Sequence, residues 1–250
     1  MLKSLSRIYT LTTRNIKEIL RDPLSLAFTL GLPLIMEVLF YYIFHNMTSQ
    51  FSMKYLAPGI VVFSQTFLTL FTGLLIALDR STSFLTRLYV SRAKSYEFIF
   101  SYIISVIPIG IFQSILFFLV GGIVDPSIFS FRIILCILLS SITSLLFIGF
   151  GILFGSICNE KSIGGISSII ITSQSVLSGM WFPVEGLSEG FTTLMKVLPF
   201  KNATDLLQNT LNGINDLFKD FFLPLIILLA YRIVVIILAI IIFKNKMKAK

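Results

Sequence analysis

The chain alternates long apolar runs with shorter polar connections. The runs cover residues 24–44, 55–78, 98–124, 133–157, 163–178 and 221–243. Because a helix rises about 1.5 Å per residue, roughly 20 apolar residues cross the ~30 Å hydrocarbon layer of a bilayer. Continuous apolar character indicates helices, whereas a transmembrane barrel requires alternation. The pattern predicts an all-α integral membrane protein with six transmembrane helices in a single domain, residues 1–250.

The first 22 residues repeat their charged positions with helical spacing. At about 100° per residue the cations fall within one arc of about 80°, with the apolar side chains opposite. The cations are Lys3, Arg7, Arg14, Lys17 and Arg21. This pattern predicts an amphipathic helix over residues 1–22 that lies in the membrane interface before Asp22 and Pro23 turn the chain into the bilayer. The alternative is a short helix packed on protein.

Two connections are long enough to have structure of their own. Residues 79–97 mix charged and apolar side chains and could dock a partner. Residues 179–220 contain Trp181, Phe182 and further large apolar side chains, which is too apolar for a free loop. We expect short helices here that re-enter the membrane or lie on its outer surface.

The distribution of Lys and Arg predicts the orientation. Fourteen of the 20 fall at the N-terminus, in connections two and four, or in the C-terminal tail, and five fall on the other side. Positively charged connections stay in the cytoplasm, so both termini are expected inside a plasma membrane. The same rule explains the net charge of +8, and no basic patch with stacking aromatic residues indicates nucleic acid.

The sequence offers little catalytic chemistry. The chain has one histidine, His45, and no Gly-x-x-x-x-Gly-Lys-Ser/Thr loop for ATP phosphates. Cys136 and Cys158 lie 22 residues apart in one predicted helix, roughly 33 Å, so they cannot pair. These features predict a protein that is not an enzyme and that has no cofactor and no metal site of its own.

Two charged residues lie within the apolar runs. Glu37 is in the first run and Arg232 in the sixth. Charges inside a membrane are costly and need a partner or a wet cavity. Three interpretations remain open: a structural ion pair between them, a role in a substrate pathway, or separate local solutions.

Small and hydroxyl-bearing residues are frequent in the fourth and fifth runs. Gly151 and Gly155 form a small-xxx-small face that favours close helix packing. The alternative is a polar strip along the route of an amphiphilic substrate, with hydrogen bonds from Gln174, Ser175 and Ser178.

Several short motifs follow one another in a fixed order. They are LRDP at 20–23, YLAPG at 55–59, Asp79-Arg80 followed by TRL at 86–88 and Glu97, LSGMWFPVE at 177–185, and LPF at 198–200. In order and spacing the chain resembles the membrane subunits of ABC-2 type transporters. It departs from the family pattern at residues 81–83, where Ser-Thr-Ser stands in place of a common Glu and Gly-Thr.

The resemblance implies the permease subunit of an ATP-driven exporter that moves an apolar or amphiphilic substrate such as a drug, antibiotic, peptide or lipid. It implies a separate ABC ATP-binding subunit, which holds ATP and Mg²⁺, and a dimer with a second copy or a related permease subunit. It assigns ATPase coupling to segment 79–97 and an external gate to the region after the fifth run. The coupling residues are Asp79, Arg80, Arg87, Leu88 and Glu97, and the gate residues are Trp181, Phe182 and Pro183.

Two rival functions do not require an ATPase. A proton-coupled secondary transporter would use Glu37 and Arg232 as its coupling charges. A membrane enzyme or scaffold would need clustered Asp, His or Lys at one membrane face, and the cytoplasmic connections show no such cluster.

Overall fold

A computed structural model describes residues 2–82, 94–182, 184 and 186–248 of the chain. Within these ranges the chain forms α-helices, short 3₁₀ turns and one π-helical turn, and no β-strand. The helices are α1 Leu2–Leu20, α2 Pro23–Phe44, α3 Met53–Ser81, α4 Ser95–Val124, α5 Arg132–Ile157, α6 Glu160–Leu177, α7 Glu189–Val197, α8 Pro199–Asn212 and α9 Leu223–Lys248. The predicted all-α membrane fold is confirmed.

Five helical stretches are long and apolar enough to cross a bilayer. They are Pro23–Phe44, Met53–Ser81, Ser95–Val124, Arg132–Ile157 and Leu217–Phe243. Helix α6 corresponds to the fifth predicted run but is not among them. It has 18 residues, about 27 Å at 1.5 Å per residue, and many of them are glycines and hydroxyl-bearing residues. The count of six spans therefore stays a prediction.

Helix α3 lies at the centre of the bundle. In its most apolar 18-residue stretch 83% of the residues are buried, against 17% in α2. It packs against α2, α4, α5, α6 and α8. Helix α3 is therefore the element on which most of the other helices pack.

Close helix packing depends on the glycines of α5. A Cβ at Gly151 would lie 2.6 Å from the Cβ of Thr72, and one at Gly155 would lie 2.8 Å from the carbonyl oxygen of Gly73. Both distances are shorter than any van der Waals contact of a Cβ atom with a non-bonded carbon or oxygen, so only glycine permits this approach of α5 to α3. The packing interpretation of the Gly151 and Gly155 face is confirmed.

A polar network joins three helices inside the bundle. Gln65 on α3 donates to the carbonyl oxygen of Ser140 at 3.0 Å and accepts a hydrogen bond from Thr143, both on α5. The hydroxyls of Ser114 on α4 and Ser140 lie 2.7 Å apart. Polar groups in a membrane interior need internal partners, and these contacts supply them.

Local sequence signals explain several helix ends. The side chain of Asp22 accepts from the backbone N–H of Ser25 at the start of α2, directly before Pro23. The side chain of Asn159 accepts from the N–H of Ser162 at 2.9 Å and caps α6. Helix α8 ends at Gly213, whose φ of +119° suits glycine.

Candidate functional site

The candidate residues fall into two groups at opposite ends of the bundle. One group lies at the α1 end, where α1 packs on α4 near the last turn of α3. The other lies at the α8 end, with α7, α8 and the residues after α6.

At the α1 end, Asp79 is buried beneath α1 with 1% of its surface exposed. Arg14 binds both of its carboxylate oxygens, with Nη1 donating to Oδ2 at 2.6 Å. The hydroxyl of Tyr102 on α4 also donates to Oδ2 at 2.6 Å. A bidentate, charge-assisted contact of this kind is among the stronger side-chain interactions. Asp79 therefore joins α1, α3 and α4.

Glu97 forms a second, similar contact at the start of α4. Arg7 donates from Nε and Nη2 to the two carboxylate oxygens at 2.9 and 2.7 Å, and the hydroxyl of Ser4 donates at 2.5 Å. Glu97 also accepts from the backbone N–H of Lys94 at 3.0 Å, which caps the helix. Its side chain is fully buried. The hydrogen bond with Glu97 raises the pKa of Arg7, so the guanidinium stays charged.

Arg80 points to a different helix. Its Nη1 donates to the carbonyl oxygens of Gly155 and Cys158 at 2.9 and 3.1 Å, at the end of α5. Cations at this position are favoured because the last carbonyls of a helix lack internal partners. Arg80 therefore ties the end of α3 to the end of α5.

The predicted coupling residues that the structure describes lie in two different places. Asp79 and Glu97 lie beneath α1, one before and one after segment 83–93, while Arg80 contacts α5. Arg87 and Leu88 lie outside the described residues. The coupling role of all five stays a prediction.

The partners of the two acids are not evident from the sequence, in which Arg7 and Arg14 belong to the predicted cationic stripe of an interfacial helix. In the structure both arginines bind carboxylates of the bundle. Helix α1 packs on protein through Thr12, Asn15 and Ile19, while Leu5 and Tyr9 remain exposed. The seven-residue spacing of Arg7 and Arg14 on one face, with an acid at each end of segment 79–97, was the available signal.

At the α8 end, Trp181 is held by both polar and aromatic contacts. Its Nε1–H donates to the hydroxyl of Ser175 at 2.8 Å, and its ring meets Phe40 of α2 edge-on at 4.7 Å and Phe63 of α3 at 6.0 Å. Gln50 donates to the carbonyl oxygen of Phe182 at 2.8 Å. The predicted gate residues Trp181 and Phe182 therefore lie where α2, α3 and α6 meet, and Pro183 lies outside the described residues.

Two of the three predicted pathway residues face the interior. Gln174 is buried and donates to the hydroxyl of Thr204 on α8 at 3.1 Å, while its Oε1 has no partner among the described residues. Ser178 is buried and accepts from the N–H of Met180 at 3.2 Å. The open face of α6 instead presents Ser168 and Thr172, which line a shallow groove of about 430 Å³. A pathway role for Gln174, Ser175 and Ser178 stays a prediction.

The two intramembrane charges do not form an ion pair with each other, which was one of the three interpretations of the sequence. Glu37 is completely buried, and within the described part of the chain neither of its carboxylate oxygens has a hydrogen-bond partner. Arg232 is half-buried on α9, and no ion pair among the described residues joins it to Glu37. The structural pair is therefore absent in this conformation.

Among the residues that the structure describes, no group of three or more His, Cys, Asp or Glu side chains could hold a metal ion. Cys136 and Cys158 are both free thiols. The side-chain contacts described above join helices to one another.

The chain was compared with known protein families and with curated proteins. A family profile described as ABC-2 type transporter matches residues 6–212. No curated protein matches the chain. The matched region includes α1 from residue 6 onward, the paired acids of α3 and α4, and the two short helices α7 and α8.

Proposed function

The chain belongs to the ABC-2 type transporter family, and from this premise we propose that it is the permease subunit of an ATP-driven exporter. Membership and the apolar helices make it a multi-pass membrane protein of a transport system. The proposal adds an energy source, a direction and a cargo. ATP and Mg²⁺ belong to a separate ABC ATP-binding subunit, and the cargo is an apolar or amphiphilic molecule that leaves the cell.

The observation that carries the proposal is the pair of ionic contacts around the cytoplasmic segment 79–97. Arg14 binds Asp79 before residues 83–93, and Arg7 binds Glu97 after them. A force applied to this segment therefore reaches α1, α3 and α4 together. This arrangement suits a segment that receives the motion of an ATPase and passes it to the bundle.

The ATP-binding subunit contacts residues 80–94 from the cytoplasm in this proposal. In the proposal Arg87 and Leu88 make the contact. Asp79 and Glu97 are buried beneath α1, so they are not available to a partner and instead join α3 and α4 to α1 on either side of residues 83–93. Arg80 links the same movement to α5 through Gly155 and Cys158. The ATPase then biases the permease between inward-facing and outward-facing states.

The cargo path runs along the interface with a second permease subunit, which is either an identical copy or a related chain. The open face of α6 carries Gly164, Gly165, Ser168 and Thr172. Glycines and hydroxyls on a helix face favour helix association and hydrogen bonding in membranes. Trp181, Phe182 and Pro183 then form the external gate above this path.

Retention of an ATPase subunit tests the proposal. The chain is co-expressed with ABC ATP-binding subunits from its own genome, purified in nanodiscs, and analysed for bound ATPase. We expect retention by the wild type and its loss in Arg87→Glu. Lys219→Glu is the matched control. Lys219 is exposed at the α8 end, and its substitution makes the same charge reversal far from the proposed cytoplasmic contact. Equal loss in both variants, or no ATPase retained by the wild type, contradicts the proposal.

The alternative function is a proton-coupled secondary transporter. The observation that favours it is the buried Glu37, whose oxygens have no partner among the described residues. This alternative predicts transport that stops when a protonophore removes the proton gradient and that needs no ATPase subunit.

A further inference from the structure

Glu37 occupies an apolar site between three elements. A Cβ placed on Gly121 of α4 would lie 3.0 Å from Oε1 of Glu37, 3.1 Å from Ile128 and 3.2 Å from the sulfur of Met53. Glu37 itself is 0% exposed, and neither oxygen has a hydrogen-bond partner among the described residues. The carboxyl group therefore lies against glycine backbone and apolar side chains.

The charged and titratable side chains on the flanking elements lie outside this site. Tyr41 and His45 follow on α2 and stack on one another at 4.6 Å, and Asp125 at the end of α4 interacts electrostatically with Tyr41. Lys54 is next to Met53 on α3 but is exposed and lines an open pocket. No described cation forms an ion pair with Glu37.

We propose that Glu37 is a proton-binding site and that α2 docks on α3 and α4 with this carboxyl group in its neutral, protonated form. An ionised carboxylate in an apolar site without a partner is strongly disfavoured, whereas the neutral acid is tolerated. The ligand of the site is thus a proton.

The proton on Glu37 affects how α2 packs on the bundle, because Glu37 is one of the few buried residues of this helix. The buried residues of α2 are Thr29, Pro33 and Glu37, which recur every four positions along one narrow stripe. Pro33 has no N–H, so it cannot donate to the carbonyl oxygen of Thr29 within the helix. Partly buried apolar side chains of α2 also pack on the core, and Glu37 is the one residue of the buried stripe that can ionise.

The direction in which pH changes the docking of α2 follows from the neutral, protonated state of Glu37 in the docked arrangement. When α2 moves away from α4 or water enters, the acid can ionise and its proton is released. The docked arrangement is therefore favoured at low pH and weakened as pH rises. This linkage holds whether ATP or a proton gradient drives transport, so it does not depend on the proposed energy source.

Infrared spectroscopy tests the bound proton directly. Difference spectra between the wild type and Glu37→Gln, both as full chains in nanodiscs at neutral pH, report the group that the substitution removes. We expect loss of the carbonyl stretch of a protonated carboxylic acid. Glu97→Gln is the matched control and is expected to remove carboxylate bands, because Glu97 is paired with Arg7. Loss of carboxylate bands in Glu37→Gln would overturn the proposal.

Fluorescence of Trp181 tests the link to α2 docking. Trp181 is the single tryptophan of the chain, and its ring contacts Phe40, three residues from Glu37. We expect the emission of the wild type to shift as pH rises, and the shift to be absent in Glu37→Gln. His45→Gln is expected to keep the shift, which separates Glu37 from the neighbouring histidine. Identical pH responses in the wild type and Glu37→Gln would show that the proton is not linked to docking.

Discussion

At the scale of single residues, the contacts between α1 and the bundle depend on two carboxylates. Asp79 and Glu97 are 1% and 0% exposed, and each is bound by an arginine of α1 through two hydrogen bonds. Burying a carboxylate without its partner costs free energy. These pairs therefore favour the observed position of α1 even where their net contribution to stability is modest. They fix the position of α1 relative to both ends of segment 79–97.

Removal of the Asp79 carboxylate should destabilise the α1 end. In Asp79→Ala, Arg14 and Tyr102 lose their shared acceptor, and we expect the free energy of unfolding to fall by about 2–3 kcal/mol. This value is reduced because Arg14 is 31% exposed and partly solvated. Thermal unfolding in detergent measures the effect. The exposed Glu160 provides the control, since Glu160→Ala should change stability by less than about 0.5 kcal/mol. Equal stability of the two variants contradicts a structural role for Asp79.

At the scale of helices, α3 and α5 approach closely because glycine residues face threonine and glycine at their crossing. Gly151 and Gly155 have no room for a Cβ against Thr72 and the backbone of Gly73. The hydroxyl of Thr69 adds a hydrogen bond to the carbonyl oxygen of Phe147 at 3.0 Å. These contacts hold α5 against the central helix, so α5 and α3 move as one unit.

Substitution at this crossing should separate the helices. We expect Gly151→Ala to destabilise the protein by about 1–3 kcal/mol, because the added methyl group overlaps Thr72 and the carbonyl oxygen of Thr69. Gly31→Ala is the matched control in another spanning helix, where no atom lies within 4 Å of the added Cβ. It should be neutral or stabilising by up to about 1 kcal/mol. Thermal unfolding measures the stability of both variants. A larger loss of stability in Gly31→Ala than in Gly151→Ala would contradict close packing at Gly151.

Much of the helical framework could be predicted from the sequence, because each apolar run is long enough to require a helix in lipid. The predicted start at 98 and the observed start at Ser95 differ because Glu97 caps α4 through the N–H of Lys94. The apolar surroundings of Glu37 and the carboxylate partners of Arg7 and Arg14 could not be predicted. They depend on the rotation of each helix about its axis, which hydropathy does not determine.

At the scale of the whole molecule, the helices form a bundle around α3, with the candidate coupling region at one end and the candidate gate at the other. Asp79 lies in the last turn of α3, and Phe63, which contacts Trp181, lies in its first half. The same helix therefore connects both regions.

The orientation of the ends can be tested by labelling. If α6 crosses the membrane, Thr192→Cys should react with an impermeant maleimide on intact cells, because α7 is predicted to be external. Lys161→Cys should react only after permeabilisation. Both variants are made with Cys136 and Cys158 replaced by alanine. Labelling of both positions from the same side would show that α6 does not cross and that the chain has five spans.

The most direct test of the central claim is ATP hydrolysis by the purified complex in proteoliposomes, measured with and without a protonophore. We expect an ABC ATP-binding subunit to stay bound and its hydrolysis of ATP to continue when the protonophore is added. We also expect Arg87→Glu to abolish this activity and Lys219→Glu to retain it. A wild-type chain that retains no ATPase, or ATP hydrolysis that stops with the protonophore, would contradict an ATP-driven permease.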